Sequence, residues 1–211
     1  MRITVAIPVY NTPPDYLIEA VYSIIRQDYP HPFRFFLIDD ASTDPGTLSM
    51  LDHLSSMIEI IRMHDNVGLP ALLNYALEVC DTEYMVRMDS DDVSHYQRIR
   101  HQVEYLIENP DVDVLGTNLY AFSHQSVKRY PLFTTSHPEN PEFRAERGEK
   151  QRFWLVNHAT VVYRKSAVLE VGGYDEEMLR GQDVELWERM YANGALFRNL
   201  TGCYYAWRRY N

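Results

Sequence analysis

Short apolar runs alternate with stretches of helical spacing through the first half of the chain. Ile3 to Ile7 is β-rich and is followed by Pro8, so it predicts a buried first strand. Leu17, Val21, Ile24 and Ile25 recur at helical spacing and predict one face of a helix. Phe33 to Ile38, Ile58 to Met63, Tyr84 to Met88 and Val112 to Leu115 predict further strands. Leu48, Leu51 and Leu54, the stretch Leu69 to Val79, and Ile99, Val103, Leu106 and Ile107 predict the helices between them. Ser42 to Gly46 has the composition of a turn. Strands separated by helices imply βαβ units, hence an α/β fold with a mostly parallel central sheet flanked by helices.

The pattern weakens after about residue 120. Ser123 to Lys150 is polar, contains Pro131, Pro138 and Pro141, and predicts a long connection. Thr160 to Tyr163 then predicts a strand, and Val184, Trp187, Met190 and Tyr191 predict a helix. The expectation is one domain in two halves, 1–120 and 121–211, the second forming an irregular C-terminal third.

Composition narrows the function classes. Lys and Arg number 20 against 30 Asp and Glu, a formal charge of −10, which repels polymeric nucleic acid and anionic lipid. An acidic chain that handles phosphates must therefore recruit a cation. Two cysteines, Cys80 and Cys203, provide no disulfide framework and no zinc spacing. No signal-peptide pattern and no window of 18 apolar residues occurs. These features predict a soluble, cytoplasmic chain in a reducing compartment, with no membrane segment.

The candidate chemistry gathers at strand ends. In open parallel sheets, ligands bind where strands end in carboxyl termini. Asp39-Asp40 follows the second predicted strand and Asp89-Ser90-Asp91-Asp92 the fourth. Three carboxylates in four residues repel each other unless a cation or hydrogen-bond donors neutralise them. Such oxygen-rich clusters suit Mg²⁺ or Mn²⁺ bound jointly with phosphates, although Asp is equally at home in solvated caps and turns.

The order of several segments is more specific than any one of them. Ala6-Ile-Pro-Val-Tyr-Asn11, Leu37-Ile-Asp-Asp-Ala-Ser-Thr-Asp44, Asn66-Val-Gly68 and Met88-Asp-Ser-Asp-Asp92 occur in sequence. Asn157-His-Ala-Thr-Val-Val-Tyr-Arg164, Gly172-Gly-Tyr-Asp175 and Gly181-Gln-Asp-Val-Glu-Leu-Trp187 follow. This series resembles family 2 glycosyltransferases of the GT-A fold, which are inverting and use nucleotide sugars.

The resemblance implies a role for each matching residue. Pro8, Tyr10, Asp40, Asn66, Gly68, Asp89 and Ser90 match the nucleotide-binding stretch. Tyr10 matches the position that stacks on uracil, and a strand-end core role is the alternative. Asp40 matches the carboxylate that accepts from the base N3–H, while Asp39 caps or braces the turn. Asn66 and Gly68 match a loop beside the nucleotide, or form a plain turn. Asp89 and Asp91 bracket a DxD motif: one contacts the ribose or a metal-bound water, the other ligates Mn²⁺ or Mg²⁺. Asp92 is a second metal contact or, preferably, a helix cap. Asp183 stands where the family carries its general base, with Glu185 the nearest rival.

Asn157, His158 and Trp187 match the acceptor side, with a core role preferred for Trp187; Trp154 is a further aromatic there. Many members carry Ala-Arg-Asn where this chain has Leu72-Leu73-Asn74. Arg87, or the cluster Arg144, Arg147, Lys150 and Arg152, is the substitute cation for the phosphates; a solvated loop is the simpler account of the cluster.

The implied reaction moves a sugar from a nucleoside-diphosphate sugar, UDP-linked by preference, to a carbohydrate or glycoconjugate hydroxyl. Members often continue beyond a stretch like Tyr204–Asn211 into a mobile loop. The chain is therefore expected to be the catalytic domain of a longer polypeptide, or a naturally minimal one. Two alternatives stay open. One is a sugar-nucleotide-binding module without turnover. The other is a phosphatase of haloacid dehalogenase type, which Asp89-Ser-Asp-Asp-Val93 fits superficially.

Overall fold

The structure, a computed structural model, describes residues 1–123, 131–141, 155–178 and 180–210. The first half runs β1 (Ile3–Val9), α1 (Pro14–Ile25), β2 (Arg34–Asp39), α2 (Pro45–Leu54), β3 (Glu59–Arg62), α3 (Leu69–Val79) and β4 (Tyr84–Arg87). A two-residue strand, β5 (Val93–Ser94), precedes α4 (Arg98–Glu108) and the long β6 (Val114–Ser123). Then come β7 (Pro131–Thr135), a 3₁₀ turn at His158–Thr160, β8 (Val162–Arg164), α5 (Lys165–Glu170), α6 (Gln182–Ala192) and β9 (Phe197–Arg209).

Among the described residues these strands form one sheet in the order β3-β2-β1-β4-β8-β6-β9-β5, with β7 on β6. The β1, β2, β3 and β4 pairings are parallel, as the βαβ pattern predicts. Beyond β4 the sheet is mixed, because β8 pairs antiparallel with both β4 and β6 while β6 and β9 run parallel. Alternation along β1 explains the layering. Val5 and Ile7 face a core with Leu17, Val21, Leu51, Ile99 and Val103, so α1, α2 and α4 cover that side. Ala6 faces Leu72, Leu77, Val168, Leu186 and Trp187, so α3, α5 and α6 cover the other.

Several expectations need correction. Pro8 lies inside β1 rather than ending it, because the β4 register stops at Ala6↔Arg87 and the proline breaks no ladder bond there. Pro45 and Gly46 open α2, with Asp44 as its cap: the Asp44 carboxylate accepts from the Thr47 backbone N–H at 2.8 Å. That bond holds the Asp44 carboxyl below its ordinary pKa. Ile25 and Ile107 are exposed although they share the apolar spacing of their helices. The connection from 123 onward contains β7, and α5, β5 and β9 were not anticipated. Among the described residues, no helix is long and apolar enough to cross a membrane.

Candidate functional site

The carboxyl ends of β1, β2 and β4 bring Tyr10, Asp40 and Asp89 to one edge of the sheet. The chain turns sharply just beyond two of them. Asn11 and Ala41 adopt positive φ of 50° and 55°, a conformation that Asn tolerates and Ala adopts only where its surroundings enforce it. The enforcement is visible. The Asn11 side-chain oxygen accepts from the backbone N–H groups of Thr43 and Asp44, both at 2.8 Å. The Asn11 N–H donates to Ser42 Oγ at 2.9 Å, and Asp39 accepts from the Ser42 N–H at 3.2 Å. Asp39 therefore braces the turn.

A first cavity, of about 260 Å³, is lined by Pro8, Tyr10, Asp40, Asn66, Gly68, Leu72 and Asp89. Six of the seven nucleotide-site candidates meet here. Tyr10 is 52% exposed, which removes the core alternative and leaves its ring face available. Asp40 is buried, and three donors hold its carboxylate. Val67 N–H donates at 2.8 Å to one oxygen; Gly68 N–H at 2.9 Å and Asn66 Nδ2 at 3.0 Å donate to the other. Gly68 supplies the positive φ, 83°, that turns this loop into α3. Leu72 presents an aliphatic wall, and Asn74 ties α3 to the Gly172–Asp175 loop through both backbone groups of Tyr174.

A second cavity, of about 380 Å³, adjoins it and is lined by Tyr10, Asn11, Thr12, Pro13, Asp89, Ser90, Asp91 and Tyr210. Ser90, the seventh nucleotide-site candidate, shares a 2.7 Å hydrogen bond with Thr12. Asp89 forms a 2.6 Å ion pair with the buried Arg87. Burial is the largest single influence and opposes the Arg87 charge, but Asp89, Tyr205 and Tyr174 together lift the guanidinium above its ordinary pKa. Arg87 therefore stays charged and is committed to Asp89. Asp91 accepts from the Tyr210 hydroxyl at 2.7 Å, and burial raises its carboxyl against that bond.

Asp92 belongs to neither proposed role. It is fully buried, the strand β5 rather than a helix follows it directly, and one of its oxygens accepts from the Arg208 N–H at 2.7 Å. Burial, then Asp89 and Asp91, push its carboxyl well above the ordinary range.

The donor set fits a hard divalent cation. Asp89 and Asp91 both open onto the second cavity and offer only oxygens. Among the described residues no three His, Cys, Asp or Glu form a closed cage, so the remaining ligands would come from phosphate and water, the usual arrangement for Mg²⁺.

A third cavity, of about 230 Å³, contains Arg87, Asp89, Asn157, His158, Asp183 and Trp207 in its wall. Asp183 sits in the first turn of α6, after Gly181 turns the chain with φ 72°. Glu185, its rival, is held by Arg189 through two bonds at 2.5 and 2.6 Å, and Arg189 anchors the carbonyl of Gly173. His158 shares a 2.8 Å hydrogen bond with the Tyr174 hydroxyl, and burial with the Arg87 charge holds it well below its ordinary pKa, so the ring is neutral. Asn157 donates to the Thr117 carbonyl at 3.3 Å. Trp187 is a core residue packed against Phe197 and the back of His158. The aromatic in the wall is instead Trp207, on β9, crossed at 83° by Phe133.

Arg144, Arg147, Lys150, Arg152 and Trp154 lie outside the described residues. Sequence reasoning missed Thr12, Trp207, Arg208 and Tyr210. The aromatic and basic run Tyr204–Tyr210 carries three of these, and its composition was the available signal.

Residues 4–172 match the sequence profile of glycosyl transferase family 2. The putative glycosyltransferase EpsE of Bacillus subtilis (strain 168) is 30% identical over 210 residues, covering 97% of this chain and 72% of EpsE. The UDP-Gal:alpha-D-GlcNAc-diphosphoundecaprenol beta-1,3-galactosyltransferase of Escherichia coli is 27% identical over 188 residues, 86% of this chain and 64% of that enzyme. The crystal structure of S. aureus TarS 1-349 superposes with a TM-score of 0.77 at 23% identity, covering 99% of this chain. The chain spans 60% of that TarS chain, and its complex with UDP superposes equally well at 22% identity. Parallel strand ends, a carboxylate pair and a profile match over most of the length agree: this chain belongs to glycosyl transferase family 2.

Proposed function

We propose that the chain transfers a sugar from a UDP-sugar to an acceptor hydroxyl with inversion at the anomeric carbon. One observation carries this reading: Asp89 lines all three cavities, joining the Tyr10–Asp40 pocket, the Asp89–Asp91 pocket and the Asp183 pocket into one cleft. The base stacks on Tyr10 above the Asp40–Gly68 loop. The diphosphate lies past Asp89 and Ser90, and the sugar reaches the pocket that holds Asp183. TarS complexes with UDP and with UDP-GlcNAc, and the UDP-Gal named for the E. coli relative, favour uracil as the base.

Asp91 and Asp89 would hold a divalent cation, which when bound supplies positive charge to the departing diphosphate. Asp183 accepts the proton of the acceptor hydroxyl as its oxygen bonds to the anomeric carbon and the bond to UDP breaks on the opposite face. Arg87 keeps a fixed positive charge between Asp89 and the sugar pocket and orients that carboxylate. Neutral His158, held by Tyr174, walls the pocket without competing for the proton.

Calorimetric titration of UDP with and without Mn²⁺ tests the donor assignment. The expectation is binding that Mn²⁺ strengthens, and no binding in either condition refutes it. A panel of UDP-, GDP- and dTDP-sugars screened for slow hydrolysis identifies the donor.

A further inference from the structure

The last described residues of the chain reach back to the carboxylate cluster. Arg208, near the end of β9, makes two contacts with the segment that follows β4 and one with α1. Its N–H donates to Asp92 at 2.7 Å, its Nε donates to the Asp91 carbonyl at 2.6 Å, and its guanidinium pairs with Glu19 of α1 at 2.6 Å. Two residues on, Tyr210 donates its hydroxyl to the Asp91 carboxylate at 2.7 Å. Tyr16 of α1 supports both: its ring lies 4.0 Å under the Arg208 guanidinium and 6.0 Å from the Tyr210 ring. The carbonyl and the carboxylate of Asp91 are thus held by separate side chains from one strand end. Tyr210 also lines the Asp89–Asp91 cavity, so its bond is made at the cavity wall and not in the core.

We infer that Tyr210 is a positioning residue for the cation and diphosphate site. The phenol donates to one Asp91 oxygen, fixes the carboxylate plane and leaves the other oxygen to ligate the cation. Arg208 fixes the backbone beneath it. This inference rests on the reading of Asp91 as a cation ligand given above. Donors that orient a ligating carboxylate matter for affinity: losing one typically weakens metal binding by about 10- to 100-fold. Tyr210 is 51% exposed, and Tyr210→Phe removes only the hydroxyl while keeping the ring that packs on Tyr16.

The test compares wild type, Tyr210→Phe and Asp91→Asn in the full chain. Free Mn²⁺ is followed by electron paramagnetic resonance in the presence of UDP, and UDP alone by calorimetry. The expected result is a loss of Mn²⁺ affinity of about tenfold or more in Tyr210→Phe. Its bound-Mn²⁺ spectrum should broaden, while metal-free UDP binding and the thermal midpoint stay at wild-type values. Asp91→Asn should lose Mn²⁺ binding altogether. If Asp91→Asn binds Mn²⁺ like wild type, the cation reading of Asp91 fails and the Tyr210 inference falls with it. If Asp91→Asn loses Mn²⁺ while Tyr210→Phe binds it as tightly as wild type or more tightly, only the positioning role is overturned. A fall in metal-free UDP affinity or thermal midpoint in Tyr210→Phe would also overturn it, by making the hydroxyl structural.

Discussion

Asp40→Asn separates two roles that one carboxylate can play. Family resemblance makes Asp40 an acceptor for the base, whereas the structure already commits it to three donors from residues 66–68. An amide keeps one acceptor oxygen. If that oxygen stays with Gly68 and Asn66, the new NH₂ group faces the Val67 N–H, and one buried donor loses its partner. A hydrogen bond to a charged group contributes about 1.5–3 kcal/mol, and the two surviving bonds lose their charge assistance. A destabilisation of about 2 kcal/mol follows for this buried site, and in a domain of this size it lowers the thermal midpoint by about 4–8 °C. The assay is calorimetric or fluorescence-detected unfolding of the ligand-free protein at neutral pH, so that no nucleotide contact contributes. A midpoint within about 1 °C of wild type would refute the bracing role and return Asp40 to a ligand contact alone.

Three other outcomes are expected. Asp183→Asn should retain UDP binding by calorimetry and lose about 10²- to 10⁴-fold in transfer rate; unchanged transfer would remove Asp183 as the base. Arg87→Met leaves Asp89 without its partner, and because Asp89 is 34% exposed the cost should fall near the low end of about 1–3 kcal/mol, measured by urea unfolding. His158 has a folded pKa depressed below its unfolded value by burial, so the unfolded chain binds more protons below pH 6.5. Its stabilising contribution is complete above about pH 6.5 and is lost as pH falls, by at most about 1.4 kcal/mol per pH unit. His158→Gln should flatten that part of the stability profile measured from pH 7 to pH 5.

The legible parts of the fold are those whose signal is local. α3 matches its predicted span because apolar spacing and the Gly68 turn coincide, and Asp40, Asp89 and Asp183 stand where strand ends and a helix start place them. β9 was hidden for a physical reason. Its pairing with β6 shifts register between Thr117 and Leu119, so the alternation of inward and outward residues is broken mid-strand. β5 is two residues long and exists only because β9 lies beside it. The same distance hid part of the site. Nothing near Asp91 announces a bond to Tyr210, 119 positions away. Trp187 and Trp207 are chemically alike, and only burial tells the core residue from the cavity wall.

The clasp on Asp91 also sets a timetable for biosynthesis. β1 to β4 lie within the first 87 residues and are all synthesised before β9. The Asp89–Asp92 segment then waits for Arg208, 117 positions later than Asp91. At about 5–20 residues per second that interval is about 6–23 s, during which three neighbouring carboxylates lack the strand that orders them. A nascent chain arrested before β9 should therefore lack the ordered Asp89–Asp92 edge.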